Sequence, residues 1–121
     1  MAETSQRLRL TRAMRIKQSR DFARVKKEGR RLVNGCLIAN WSKAPGSRLG
    51  VVVSSKVGNA VVRARARRLL REAFRLHQCE LTQPVDLILV ARASIDGKTY
   101  SEVEKDFVST LRKAGLLKPI A

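Results

Sequence analysis

The sequence has 121 residues, enough for one compact domain with a modest core and too few for two. A hydrophobic share of 44% is ordinary for a globular chain and excludes disorder along most of the length. The charge is not ordinary: 26 Lys and Arg stand against 10 Asp and Glu, a formal net +16. Self-repulsion of that size points to a polyanionic partner, with nucleic acid ahead of an anionic membrane.

No apolar run reaches the roughly 18 residues that a membrane-spanning helix needs, and the first residues lack the apolar core of a secretory signal. Arg7, Arg9, Arg12 and Arg15 interleave with Leu8, Leu10 and Met14. That pattern faintly resembles a mitochondrial presequence but reads better as a basic lead-in. Residues 1–14 are therefore expected to form a flexible basic arm, and residues 15–121 the single domain.

A first helix is expected from Ser19 as N-cap, with Asp21 in its first turn, Phe22 and Val25 on one face and Gly29 as its stop. Residues 31–41 have strand character, with Cys36 and Ile38 alternating against Leu37, Ala39 and Trp41. Ala44-Pro45-Gly46-Ser47 is a turn, and residues 49–54, with Val51, Val52 and Val53, form a second strand. The two strands are expected to pair as an antiparallel hairpin. Val57-Gly58-Asn59 breaks the strand, and Asn59 caps a long helix over residues 60–77. After Pro84, residues 85–91 are short and aliphatic enough for a buried strand. Asp96-Gly97 turns the chain, and Thr99 with Glu102 fits a capping box. That box opens a last helix with Val103, Phe107 and Leu111 inward, ending at Gly115. The order describes an α+β protein, a two-layer sandwich of one small mixed sheet with helices packed on it.

Cys36 and Cys79, with the single His77, cannot complete a tetrahedral zinc site unaided. Two free thiols in a reducing compartment, the cytoplasm, is the simpler reading.

The most informative segment is the long helix. At 3.6 residues per turn, Val62, Ala66, Leu69, Ala73 and Leu76 fall on one stripe, suited to face the sheet. Arg67, Arg71 and Arg75 make an i, i+4 row on the far side, with Arg68 beside it and Arg63 and Arg65 at the borders. Glu72 is the one compensating charge. A face shaped only for solubility mixes Glu with Lys at this spacing, because like charges there cost a few tenths of a kcal/mol per pair, roughly 0.2–0.5. Arginine forks suit bidentate phosphate binding and base stacking, so the row reads as a nucleic-acid face. A membrane surface fits less well, because the opposite stripe is needed for the core.

Lys56-Val57-Gly58-Asn59-Ala60-Val61-Val62-Arg63, followed by Arg65, Arg67-Arg68 and Arg71-Glu72-Ala73-Phe74-Arg75, resembles the arginine-rich signature of the bacterial ribonuclease P protein family. Arg15-Ile16-Lys17 ahead of Ser19-Arg20-Asp21-Phe22 resembles the start of that family's first helix. Residues 49–54 and 85–92 resemble its later strands in kind and order. The likeness runs over roughly residues 15–115. It departs from the family at Ala64, where an Asn usually stands between the two opening arginines. It departs again at Lys26, one turn after Phe22, where the family often has a second aromatic.

The resemblance implies a four-stranded mixed sheet with a left-handed βαβ crossover, like the second domain of ribosomal protein S5 and an exception to the usual right-handed rule. A short extra strand near residues 30–33 would supply the fourth. It also implies the protein subunit of an endoribonuclease that removes 5′ leaders from precursor tRNAs. In that family the arginine-rich helix docks on the catalytic RNA, and a cleft between sheet, first helix and central helix holds the single-stranded leader. Hydrolysis falls to magnesium bound by the RNA subunit, with no metal on protein side chains and the protein monomeric in the complex. By this reading Arg63, Arg65, Arg67, Arg68, Arg71, Arg75, Lys56 and Asn59 are the RNA-binding residues. Phe22, Asn34 and Asn40 belong to the leader cleft, with Trp41 in the core rather than on the RNA. Phe22 on its own suits either core or stacking platform.

The residues agree with a non-catalytic role. His77 sits at a helix end, the carboxylates are scattered, and no pair has the spacing for two-metal work. Three other functions compete. A ribosomal or other structural RNA-binding protein would carry the same charge. A DNA regulator would need a dimer and a paired helix-turn-helix. A stand-alone nuclease would need an acid/base constellation.

Overall fold

The computed structural model describes residues 10–118. Residues 1–9, most of the expected arm, lie outside them. Helix α1 spans Ser19–Glu28, and the strands are β1 (Arg30–Asn34), β2 (Leu37–Lys43), β3 (Arg48–Val52) and β4 (Val85–Ala91). Helix α2 spans Ala60–His77 and α3 spans Tyr100–Lys113. No helix among the described residues is long and apolar enough to cross a membrane.

The four strands form one mixed sheet in the order β1-β2-β4-β3, with β3 parallel to β4 and the other neighbours antiparallel. The expected hairpin between residues 31–41 and 49–54 is therefore corrected. Those segments run in opposite directions, but β4 lies between them. All of β4 except Val90 is buried, and a strand apolar on both faces is stable only with a neighbour on each side. Local pairing of β2 with β3 would leave it at an edge.

The expected single strand over residues 31–41 is in fact a hairpin of its own. Asn34 pairs with Leu37 around a loop of Gly35 and Cys36. Gly35 takes φ +59°, and a Cβ there would come within 2.3 Å of the Asp106 carboxylate. That carboxylate accepts a hydrogen bond from the Cys36 backbone N–H at 3.0 Å. Gly at the first position of a two-residue loop is itself a hairpin signal. Cys36 is buried, and burial first, with Asp106 second, pushes its thiol up to about 12.

Helices α2 and α3 cover one face of the sheet and enclose the main core of Leu37, Leu87, Leu89, Leu70, Phe74 and Phe107. The inward stripe of α2 is rotated from expectation. Ala66, Leu70, Ala73 and Phe74 are buried, whereas Val62, Leu69 and Leu76 are half-buried. Because α2 packs on both the sheet and α3, its buried arc centres on the bulky Leu70 and Phe74, each contributing about 1.5–3 kcal/mol. The capping box of Thr99 and Glu102 opens α3 as expected. At α1, Gln18 takes the N-cap place expected of Ser19 and caps with no side-chain hydrogen bond.

The other sheet face carries α1 alone, held by a small cluster of Ile16, Val25 and Ile88. The anchor is Asp86, 1% exposed. Its carboxylate accepts from Arg48 Nε at 2.9 Å and Arg48 Nη2 at 2.8 Å, and also from the Arg24 guanidinium of α1. Burial acts to raise the Asp86 pKa, but the bonds from Arg48 and Arg24 outweigh it and hold the carboxyl below its ordinary value. Replacing Asp86 with Asn is expected to cost about 1.5–3 kcal/mol of stability at neutral pH, the scale of hydrogen bonds to charged groups. The depressed pKa gives that contribution its sign. It is complete above the ordinary aspartate value of 3.8 and is lost as pH falls through the lower folded value. Urea melts from pH 7 downward should show the gap between wild type and Asp86→Asn closing only below pH 3.8.

Candidate nucleic-acid interface

Helix α2 begins as the sequence predicts, with Asn59 Oδ1 accepting from the Val62 backbone N–H at 3.0 Å. That oxygen is committed to the cap, so Asn59 orders the arginine helix from its N-terminus. Lys56 is exposed on the short 3-10 turn just before it. Arg63 leans back and donates from Nε to the Gly58 carbonyl at 3.2 Å. Arg65 and Arg68 are exposed, and Arg67 and Arg71 are half-buried. Arg75 donates a bidentate pair to Glu72 at 2.9 and 2.7 Å, so part of its fork is already occupied.

Arg15 joins this face. It bridges to Leu49 of β3, and the neighbouring Ile16 backbone N–H donates to the Leu49 carbonyl at 2.8 Å. This pins the chain ahead of α1 alongside the sheet edge. Arg15, Ala64, Arg68, Arg71 and Arg75 line a shallow hollow of about 360 Å³. Burial, together with the cations Arg15 and Arg67, lowers the pKa of the Arg71 guanidinium. Arginine stays protonated throughout the accessible range, so Arg71 stays charged in a partly desolvated place flanked by two other cations, which an anion would relieve. Ala64 is exposed among these cations, which places the family's usual Asn position on the charged side of the helix. Arg15 was visible as an out-in-out alternation of Arg15, Ile16 and Lys17, but its partner could not be read without the strand pairing.

On the sheet face that α1 covers only in part, a cavity of about 390 Å³ is lined by Phe22, Lys26, Arg31, Ile38, Asn40 and Val52, among others. Phe22 is half-buried, packing against the Ile16, Val25 and Ile88 cluster while lining the cavity, so it belongs to both core and surface. Gly50 makes this possible. A Cβ there would fall 2.8 Å from the Phe22 ring. A smaller hollow of about 230 Å³ contains Arg15, Lys17, Phe22, Gly50 and Arg71. It shares Phe22 with the cavity, and Arg15 and Arg71 with the arginine face.

Of the expected cleft residues, Phe22 and Asn40 come together and Asn34 does not. Asn34 Nδ2 donates to Thr110 Oγ1 at 3.1 Å and to Ser109 Oγ at 3.3 Å, both on α3 beneath the opposite face. Strand alternation decides this: Asn34 shares the side of Leu32, whereas Arg31 and Val33 point with Asn40. Trp41 is in the main core, as expected. His77 closes the end of α2, its Nδ1 2.7 Å from Glu80 and its Nε2 2.9 Å from Glu104.

The sandwich, with its arginine helix and cation-rimmed open sheet face, defines a small α+β RNA-binding protein. A family model for ribonuclease P matches residues 10–115. The ribonuclease P protein component of Clostridium novyi (strain NT) is 39% identical over 106 residues, covering 84% of this chain and 94% of that protein. That of Gluconacetobacter diazotrophicus is 39% identical over 109 residues, covering 87% and 94%. Among solved structures, the RNase P protein of Staphylococcus aureus superposes with a TM-score of 0.81 at 30% identity, covering 88% of this chain and all (100%) of that one. The Thermotoga maritima protein gives 0.75 at 28% identity, covering 82% and 96%. The chain belongs to the ribonuclease P protein family.

Changing Arg67, Arg68 or Arg71 to Ala is expected to weaken binding to a ribonuclease P RNA. Removing one guanidinium from a phosphate should flatten the log–log salt dependence by about one unit. Lys105→Ala, exposed on α3, serves as the control for general charge. Titrations across a salt series that return one slope for all four variants would show the arginine face to be merely solvated.

Proposed function

We propose that the chain serves ribonuclease P through two adjoining surfaces. The arginine face of α2, with Arg15 and Lys56, binds the catalytic RNA. The open sheet face beside Phe22 receives the single-stranded 5′ leader of precursor tRNA. The observation that carries this reading is their continuity: Arg15, Lys17, Phe22, Gly50 and Arg71 line one hollow between them, so one RNA assembly can span both. Phosphates find guanidinium forks on the first surface, and a base finds an aromatic ring and an aliphatic floor on the second. The hydrolytic chemistry belongs to magnesium held by the RNA subunit. The protein works as a monomer in the complex, in the cytoplasm.

The test is reconstitution. The purified chain, nuclease-treated to remove carried RNA, is added to a ribonuclease P RNA and a precursor tRNA at low magnesium. Leader removal should accelerate only when the catalytic RNA is present. Maturation by the protein alone would overturn the division of labour.

A second measurement uses Ala64. Asn at this position can add a hydrogen bond to RNA, worth about 0.5–1.5 kcal/mol. Its lower helix propensity costs roughly 0.5–0.7 kcal/mol equally in free and bound protein. Ala64→Asn should therefore melt slightly earlier and bind ribonuclease P RNA equally or more tightly at fixed salt. Weaker binding by the folded variant would remove residue 64 from the RNA surface.

A further inference from the structure

A cavity of about 540 Å³ lies at the end of the sheet, on the flank of α1 opposite the Phe22 ring. Arg24 and Glu28 follow Phe22 and Lys26 by two residues, which turns them about 200° around the helix. Val25, buried between the two pairs, leaves one on each flank. Gly29 lets this end of α1 rest directly on β2, since a Cβ there would collide with the Trp41 carbonyl. Gln83 and Ala114, the latter just past the end of α3, complete the wall.

The groups at this opening are mainly donors. Trp41 is only 8% exposed, yet its indole N–H donates to no group among the described residues. No sealed-off polar atom among them is left unpaired, so the N–H reaches the surface at the cavity that Trp41 lines. Arg30 and Lys43 are exposed at the same opening and make no ion pair among the described residues. Arg24 differs: Asp86 neutralises its guanidinium, and its Nη1 donates to Ser42 Oγ at 3.2 Å. What remains is two cations against the single carboxylate of Glu28. The negative helix ends nearby do not reverse that sign. Lys26 and Lys27 close α1, and Arg112 and Lys113 close α3, offsetting both macrodipoles.

We infer that this cavity seats one phosphodiester group of an RNA strand, with the Trp41 N–H, Arg30 and Lys43 donating to its oxygens. Trp, Arg and Lys side chains donate and never accept, so together they suit a ligand that only accepts. A phosphodiester carries one negative charge, equal to the positive excess here, and draws such contacts from charged and neutral donors alike. The site is separate from those above, because it shares no lining residue with the arginine hollow or the Phe22 cavity. Strand alternation divides the two faces: Arg30 stands at this cavity and its neighbour Arg31 at the other. The inference holds whether or not the leader lies beside Phe22.

Trp41 is the one tryptophan of the chain, so its indole N–H resonance reports on this cavity. The probe is a short abasic oligonucleotide, which offers phosphodiesters without bases, titrated into the full chain. The resonance should move downfield and saturate. Arg30→Gln and Lys43→Gln, both at exposed positions, should each weaken that response roughly three- to tenfold. In the assembled system each should also flatten the log–log salt dependence of RNA binding by up to about one unit. Two arms locate the strand: protein binding to the catalytic RNA alone, and precursor tRNA binding to preformed holoenzyme. A flatter slope in the first assigns the phosphate to the catalytic RNA, and one confined to the second assigns it to the substrate. A stationary resonance overturns the inference, as does a movement that is the same in both Gln variants. Slopes unchanged in both arms overturn it too.

Discussion

One buried carboxylate determines how the two sides of the sheet differ. Asp86 sits near the start of the central strand and takes Arg48 from β3 and Arg24 from α1. Desolvating a carboxylate is costly, and the cost is recovered only when its lone pairs are met with good geometry. Here the satisfied geometry fixes α1 at one end of the sheet. The helix covers that end and leaves the rest of the face uncovered, so Ile38, Val52 and Val90 retain exposure beside the Phe22 ring. The cavity follows from the placement of the ion cluster.

The parallel crossover supplies the second constraint. With β4 central and β3 parallel to it, α2 must cross the sheet to connect them, and its cationic side is turned away from the core. The helix carries that charge against its own interest: Arg67 and Arg71 repel at i, i+4. Burial of Leu70 and Phe74 outweighs a repulsion of a few tenths of a kcal/mol, about 0.2–0.5 per pair. A packed core thus holds in place a charge array that an isolated helix would disfavour. The helix that carries the array is folded and packed before any RNA arrives, which limits the backbone ordering cost of binding.

The sites differ in how much each group is already engaged. Glu72 occupies part of Arg75, and Asn59 is spent on the helix cap. Arg68, Arg65 and Lys56 remain exposed. Of the residues that the motif marks out, some therefore build the surface and others present it.

Much of this was legible in the chain. Helix α2 with its Asn59 cap, the capping box of α3, the buried strand β4 and the arginine row all rest on local periodicity and capping, which short-range sterics and hydrogen bonding enforce. The hairpin at Gly35-Cys36 carried a local signal too, in Gly35, obscured by the continuous apolar alternation across it. What local pattern could not supply was adjacency. That β4 separates β2 from β3 depends on which strand most needs two neighbours, a comparison across the whole chain. The same holds for Asn34, sent to the α3 side by strand alternation once the register is set, and for Arg15, brought to the arginine face by its bridge to Leu49. The charge, the helices and the family signature are properties of the sequence alone. The cavity, its adjacency to the arginine face and the Asp86 ion cluster arise only when distant segments pack, because burial and hydrogen-bond satisfaction are decided by neighbours far apart in the chain.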